Sequence, residues 1–598
     1  MSDDQKKFLP ISYVNRDFSG IRDELLQMTE RFYPDTFQDF SEASFGAMMI
    51  DAVAYVGDQI NFYLDYNVNE AFLDTSFQYD NVLRHGRALG YKGTGPSSTY
   101  GECAFYVQIP TDSTGLGPDL SYIPVLQRGT RLSSLNGLSF MLTENLDFND
   151  PSNPIVVSQV DNTTGAPTHY AIKSYGNVVS GRLGQKKISV GAFERFKTVQ
   201  LKNPNITEII SVYDSEGNQY FEVDYLAQDM VYQEIPNSNF KNDNVPSIMK
   251  PMLVSRKFIA QPTRNGYTLQ FGSGEAAASD VVASPQSVAI DVFGKNYVTN
   301  TSFDPSRLSK NTSYGIVPAN TTLFVTYRIS NSSNSNVSVA GINRVSNPVV
   351  VFDDRTKLEN GKVQELISSI EASNEKPITG QVSTPTTTEI KRRIYDTFPT
   401  QNRAVTQADY ENIALRMPGK FGSVKKCTVI KDADSLKRNI NMYVVSESKF
   451  GKLTLTNNTI KNNLKVWLNN YRMVNDTIDI LDPYIINLGI EFVAKLTPGK
   501  SKNTVMSSAT KALSNLFQSG FFIAEPLYIS SIYSELKKVE GILDVHSVKI
   551  VNKAGGQYSG TTFNINKNMS QDGSYLLSPA NAVFEIKFPE TDIRGKLK

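Results

Sequence analysis

The sequence predicts an α+β multidomain chain, with an N-terminal helical bundle segment, β-rich middle domains and small C-terminal α+β domains. Three observations carry this. Apolar residues recur at helical spacing from Ser19 to Leu89. From Tyr100 to about Phe352 the pattern changes to short β-branched and aromatic runs bounded by turn residues. Beyond about residue 400, helical and extended patterns alternate. At 598 residues the chain is too long for one ordinary core, and a spacing of about 100–200 residues per domain suggests about three to five domains.

In order, residues 1–95 read as the helical segment, interrupted at "RFYPDTFQDF", with Asp80 placed to cap a last helix carrying Val82, Leu83 and Leu89. The Gly/Pro/Ser cluster "GYKGTGPSS" closes it. Residues 96–354 form the β-rich middle, with "CAFYVQI", "YFEVDYLA", "GYTLQFG" and "TTLFVTYRI" as strands and a β-rich insertion around 150–260. Residues 355–400 are a helical linker, running from one helix through a Pro/Thr/Ser-rich connector to another. Residues 401–598 hold the C-terminal α+β domains. There "TQADYENIALRMPG" opens a helix with Thr406 as cap and Asp409 at the reciprocal position, and puts Tyr410, Ile413, Ala414 and Met417 on one face. "SVKKCTVI" and "NMYVVS" read as a β pair, and Ile460, Leu464, Leu468 and Tyr471 as a helix. "DTIDIL" and "YIINLGIEFVAKL" read as a second pair, followed by helices around 505–517 and 529–536 and strands at "ILDVHSVKIV" and "AVFEIKF".

Composition narrows the function. Sixty basic residues against sixty acidic ones leave no global field to hold phosphates or anionic lipid, so neither nucleic acid nor membrane is expected as a partner. Cys103 and Cys427 are the only cysteines, too few for a disulfide framework or a cysteine zinc site, which fits a reducing cytoplasm. The amino terminus lacks an apolar signal core and no apolar run approaches the roughly 20 residues of a membrane span, so a soluble chain outside the Sec route is expected.

The residue types that do chemistry are scattered. His85, His169 and His546 fall in three different segments and read as structural. "FGSGEAAA" has the Gly-x-Gly of a phosphate cradle without the Lys-Ser/Thr that follows one, and reads as a tight turn. Asp353-Asp354 lacks the alternating ligands of a calcium loop and reads as turn or solvated surface. Asp51, Asp58 and Asp65 recur one heptad apart in "AYVGDQINFYLDYNVNEAFLDT" and the residues just before it, so they stack along one stripe of a helix. Neighbours in that stripe lie about 10 Å apart, too far to share a cation, and the stripe reads as the helix's solvated edge. The expectation is no enzyme, with no catalytic, cofactor or metal residues and no cofactor. Around the rest of that helix stand Met48, Met49, Val53, Tyr55, Val56, Ile60, Phe62, Tyr63, Leu64 and Tyr66. An arc this wide exceeds the roughly 100° stripe that a single core requires. It fits either the centre of the chain's own bundle or a helix covered by partner helices.

The stretch "DFSEASFGAMMIDAVAYVGDQINFYLDYNVNEAFLDTS", followed by "VLRHGRALGYKGTGPSS", resembles the amino-terminal helices of baseplate wedge proteins from contractile-tailed bacteriophages. "IPVLQRGTRLSSLNGLSFMLTENL", "YGIVPANTTLFVTYRI", "RAVTQADYENIALRMPGKFGSVKKC" and "LKVWLNNYRMVNDTIDILDPYIINLGIEFVAKLTPG" agree in order with the baseplate J-like family. The closing "SPANAVFEIKFPETDIRGKLK" is similar to the larger wedge subunits. The resemblance implies a structural role in the virion's tail baseplate, assembled in the host cytoplasm. It implies that a second copy of the chain and another wedge protein bundle with the amino-terminal helices. Met49, Val53, Val56, Ile60, Phe62, Tyr63 and Leu64 are then the subunit-interface residues. It further implies that C-terminal domains of neighbouring wedges join into a ring around the hub, with sheath-initiator and hub proteins nearby. The alternatives are a carbohydrate-active or receptor-binding tail protein, whose middle could hold a carboxylate pair, and the equivalent wedge part of a phage-derived injection or secretion system.

Overall fold

A computed structural model describes residues 16–33, 44–112, 115, 117–236, 247–274, 314–330, 334–382, 385–432, 439–518 and 520–598. They form an α+β multidomain protein that divides into two compact units. One holds the described residues up to Tyr91 together with Pro385–Tyr395, and the other holds the remainder.

The first unit is helical. Helix α1 (Phe18–Phe32) lies along α2 (Phe45–Glu70), and α3 (Tyr79–Ala88) follows after a tight corner. Ser44 starts α2 by accepting the Ala47 N–H at 3.0 Å, one of the donors a helix start leaves without an intrahelical partner. At 26 residues α2 is about 39 Å long. Asp80 is not a cap. The N-cap of α3 is Gln78, whose side chain donates to the Tyr66 hydroxyl and makes no capping bond, and Asp80 sits inside the first turn, where its charge suits the positive helix end. The unit's small core is Val82, Leu83 and Tyr91 with Ile390 and Ile394. Gly86 permits it, since a Cβ there would stand 2.8 Å from Ile394 Cδ1. The expected interruption at 31–40 lies mostly outside the described residues.

The second unit is built on sheets. The first has strand order Ile342–Asn347, Arg131–Ser134, Ser139–Leu142, Pro167–Ser180, Tyr100–Pro110, Glu371–Ser373, with Ile155–Val160 added beside Pro167–Ser180. Its core gathers Phe105, Val107, Ile109 and Phe140, and α4 (Asn360–Ser368) adds Val363 and Leu366. The second sheet runs Arg182–Val190, Thr321–Ile329, Ile206–Tyr213, Gln219–Glu222, Lys257–Thr263, Gly266–Phe271, Thr198–Leu201, over Val212, Phe258, Leu269, Phe271 and Val325. The described strands between 150 and 260 are thus divided between both sheets and a separate hairpin of Met230–Pro236 with Ser247–Leu253.

Two α+β layers complete the chain. In the first, α6 (Gln407–Leu415) and α7 (Asn458–Asn469) pack on Lys426–Lys431 and Asn439–Glu447, which pair antiparallel as the sequence predicts. The linker helix α5 (Thr387–Thr400) precedes them. Thr406 Oγ1 accepts the Asp409 N–H at 3.2 Å and Asp409 Oδ2 accepts the Thr406 N–H at 2.8 Å, a complete capping box. Tyr471 lies beyond the end of α7. In the second layer, α8 (Lys502–Leu516) and α9 (Ile529–Lys538) cover Tyr484–Leu496, Ile542–Lys553, Ala582–Glu585 and Ile593–Leu597.

One pairing differs from the expectation. Thr477–Leu481 and Tyr484–Leu496 are consecutive but belong to different sheets, the former running parallel to Asn439–Glu447. A two-residue hairpin needs positive-φ turn residues, and the link Asp482-Pro483 supplies a proline fixed at negative φ instead.

Candidate interaction surface

The two faces of α2 reverse the usual arrangement of a surface helix. Its charged residues are Asp51, Asp58, Asp65 and Glu70, and it has no Lys or Arg. Two of the three aspartates pair with arginines in and just before α1. Arg22 Nε donates to Asp51 Oδ1 at 2.6 Å and Arg16 Nη1 to Asp65 Oδ1 at 3.2 Å. Asn61 Nδ2 donates to the Arg16 carbonyl at 3.1 Å. Between them Ala54 is fully buried, and Gly57 leaves so little room that a Cβ would stand 3.3 Å from Ile21 Cδ1. Asp51 and Asp65 thus pair with arginines of the preceding segment, while Asp65 stays mostly exposed, as a solvated edge would. The arginine partners lie 29 and 49 residues away, beyond the reach of any helical period.

The apolar side is the exposed one. Met49, Val53, Val56, Ile60, Phe62, Tyr63 and Leu64 are each between 49% and 62% exposed, so this is no buried central helix of the chain's own bundle. Met49, Val53, Val56, Ile60 and Tyr63 follow a 4-3-4-3 spacing, that of a coiled-coil seam. Phe62 lies 5.7 Å from Tyr63 edge-on and 6.4 Å from Tyr66 in a stack, which keeps the rings together on the surface. Phe45, Val68, Phe72 and Phe77 extend the exposed apolar surface beyond the range read from the sequence. Contiguous apolar surface of this kind marks interaction sites.

The corner after α2 is set by a residue that periodicity does not single out. Glu70 is buried, and its carboxylate accepts the N–H groups of Phe77 at 2.7 Å and Gln78 at 3.2 Å, and Asn81 Nδ2 at 2.9 Å. The Asn81 bond leads in holding its carboxyl below the ordinary value. His85 Nε2 lies 2.9 Å from the Glu70 carbonyl oxygen, so this histidine is part of the same corner.

The other chemical candidates disperse. His169 stands 3.8 Å from Glu365, and His546 is on the exposed face of its strand. Burial pushes the Cys103 thiol up to about 12, and the Cys427 Sγ donates to the Glu411 carbonyl at 3.3 Å. Asp354 accepts the Thr356 N–H at 3.2 Å and pairs with Lys357 at 2.8 Å, an ordinary turn. Gly272 passes so near Gly315 that a Cβ would meet its carbonyl at 2.3 Å, so glycine serves a backbone contact there, and Glu275–Ala278 lie outside the described residues. A shallow pocket is lined by Glu102, Ala104, Tyr175, Glu375 and Lys376. Glu375 is bonded by Lys173 at 2.6 Å and by Tyr175 at 3.0 Å, and the Lys173 bond leads in holding its carboxyl low, which does not suit a general acid. Among the described residues no three His, Cys, Asp or Glu side chains are placed to hold a metal ion. No described helix is long and apolar enough to cross a membrane.

Residues 17–88 match the family model described as bacteriophage baseplate protein, N-terminal domain. No curated protein matches the chain. Among solved structures the chain is similar to one in the anti-feeding prophage (AFP) baseplate, with 11% identity and a TM-score of 0.27, covering 98% of this chain and 100% of that one. It is also similar to a chain of the type VI secretion system TssK-TssF-TssG baseplate subcomplex, with 7% identity, a TM-score of 0.22, and 73% and 95% of the two chains covered. The exposed stripe of α2 thus lies inside the segment that matches baseplate proteins.

Proposed function

We propose that this chain is a structural wedge subunit of a contractile-tail baseplate, and that the apolar stripe of α2 is where it bundles with helices of partner subunits. The observation that carries the reading is α2 itself, where Asp51 and Asp65 pair with arginines in and just before α1 while the coiled-coil seam faces solvent. A chain folding alone gains nothing from leaving a helix's apolar side in water, whereas a helix that enters a bundle recovers roughly 25 cal/mol for each Å² covered. The family match over residues 17–88 supports the same segment as the assembly element. In this reading the partners on α2 are another wedge protein and a second copy of the chain. Neighbouring wedges meet through residues 401–598 around the hub, with the sheath initiator close by, in the tail of a virion. The role is mechanical, and no group of the chain is assigned a catalytic step.

Co-expression with the neighbouring baseplate genes tests it. Ile60 and Leu64 face solvent in the free chain, so Ile60→Asp and Leu64→Asp leave its folding within about 0.5 kcal/mol. In a bundle each places an unpaired carboxylate in an apolar seam, and co-purification is lost. Circular dichroism of each variant alone separates a lost partner from a lost fold. Normal assembly of both variants contradicts the reading.

A further inference from the structure

A second surface stands out in the other unit, on the strand Ile155–Val160. Among the described residues it hydrogen-bonds to one strand only, Pro167–Ser180, and no strand lies along its outer edge. All six residues are exposed, including Ile155, Val156, Val157 and Val160. The segment "IVVSQV" has no charge and no proline.

Free strand edges offer a row of N–H and C=O groups to any extended chain, and proteins guard them with charges, prolines or short length. Every other described edge strand of five residues or more is guarded. Arg182–Val190 carries Arg182, Lys186 and Lys187, all exposed, and Ile342–Asn347 carries Arg344. Lys426–Lys431, Thr477–Leu481, Ile542–Lys553 and Ile593–Leu597 each hold a charged residue, as do both strands of the hairpin Met230–Pro236 and Ser247–Leu253. Thr198–Leu201 and Glu371–Ser373 have only four and three residues. The Ile155–Val160 edge has no charge, no proline and six residues, and its one irregularity is a register shift at Gln159 in its pairing with Pro167–Ser180.

We propose that Ile155–Val160 pairs antiparallel, about a two-fold axis, with the same strand of a second copy of this chain. Strand addition calls for an extended, uncharged, apolar partner, and this strand is itself one. Charge fits self-pairing too. With the axis through Val157, Asp161 of one copy lies opposite Asn153 of the other. Moving the axis to Val156, Ser158 or Gln159 sets it opposite Pro151, Ile155 or Val157, none of them charged. The guarded Arg182–Val190 edge paired with itself would set cations against cations. A six-residue pairing covers less than the roughly 1,200 Å² of a standard interface, so the contact is weak between free chains and gains strength where an assembly holds copies side by side.

Sedimentation velocity of the full chain over a concentration series, joined to disulfide trapping, tests this. The expected result is a dimer fraction that rises with concentration and is weakened at least tenfold by Val157→Lys, at unchanged circular dichroism. Chains carrying Val157→Cys or Ser158→Cys, each oxidised alone, give a covalent dimer with at least one of the two, which covers the two central registers. Wild type controls for Cys427, and Lys186→Cys on the guarded edge gives none. The proposal is overturned by the absence of a trapped dimer with both variants. A dimer that survives Val157→Lys but is lost in Ile60→Asp also overturns it, because self-association then runs through α2. Strand pairing and the α2 reading fail separately, since Ile60→Asp and Val157→Lys lie in different units.

Discussion

Glu70 shows how one side chain fixes the path of the chain. Its two oxygens take up the N–H groups of Phe77 and Gln78 and the Asn81 amide, which turns the chain from α2 into α3. Glu70→Ala leaves those donors without their acceptor and lowers the melting temperature of the helical unit at pH 7. Because the folded carboxyl sits below its ordinary value, its stabilisation is complete above the unfolded pKa of about 4.3 and is lost as pH falls through the folded one. The gap between wild type and Glu70→Ala, followed by thermal melts monitored at 222 nm, therefore narrows toward pH 3. A gap that stays constant between pH 7 and pH 3 means the carboxylate's charge is not what holds the corner. The Asp51–Arg22 pair acts differently, since both side chains are partly exposed, and Asp51→Asn costs less than about 1 kcal/mol. The aspartate stripe itself was legible in the sequence, as a heptad repeat. Its meaning was not, because the arginines that pair with it come from an earlier segment, and Glu70 fits no period at all.

At the scale of elements, local chemistry was the legible part. The capping box at Thr406 and Asp409 and the strands "TTLFVTYRI" and "YIINLGIEFVAKL" could be read to the residue, because caps and alternation are written in adjacent positions. Thr406→Ala removes one of the two reciprocal bonds and costs about 1 kcal/mol in denaturant titrations, with no change in the pairing of Lys426–Lys431. Partner choice between elements was the illegible part. Thr477–Leu481 pairs with Asn439–Glu447 and not with its sequence neighbour, and Asp80 yields the N-cap to Gln78. The width of the apolar arc on α2 was plain from the sequence, but that it stays uncovered depends on what α1 and α3 do, and only the fold shows it.

At the scale of the molecule, the helical unit is not contiguous in sequence. Ile390 and Ile394 of α5 complete a core otherwise built from Leu73 to Tyr91, and Lys391 Nζ donates to the Asp74 carbonyl at 2.7 Å. A fragment of residues 1–91 alone therefore melts over a broad range, and adding a peptide of residues 385–395 sharpens the transition. A fragment that melts as cooperatively without the peptide contradicts this account of the core. Composition bounded the class of protein, and the order of helical, β-rich and mixed segments was visible. The return of a linker helix to the first core was not, because nothing local marks a contact across 300 residues. The central claim is that the exposed stripe of α2 is an assembly surface in a baseplate. A cryo-EM map of the tail end of the particle that carries this chain tests it most directly. The account predicts helical density of other subunits packed along Met49, Val53, Val56, Ile60 and Tyr63. A map in which that stripe faces solvent, or a baseplate without this chain, would contradict it.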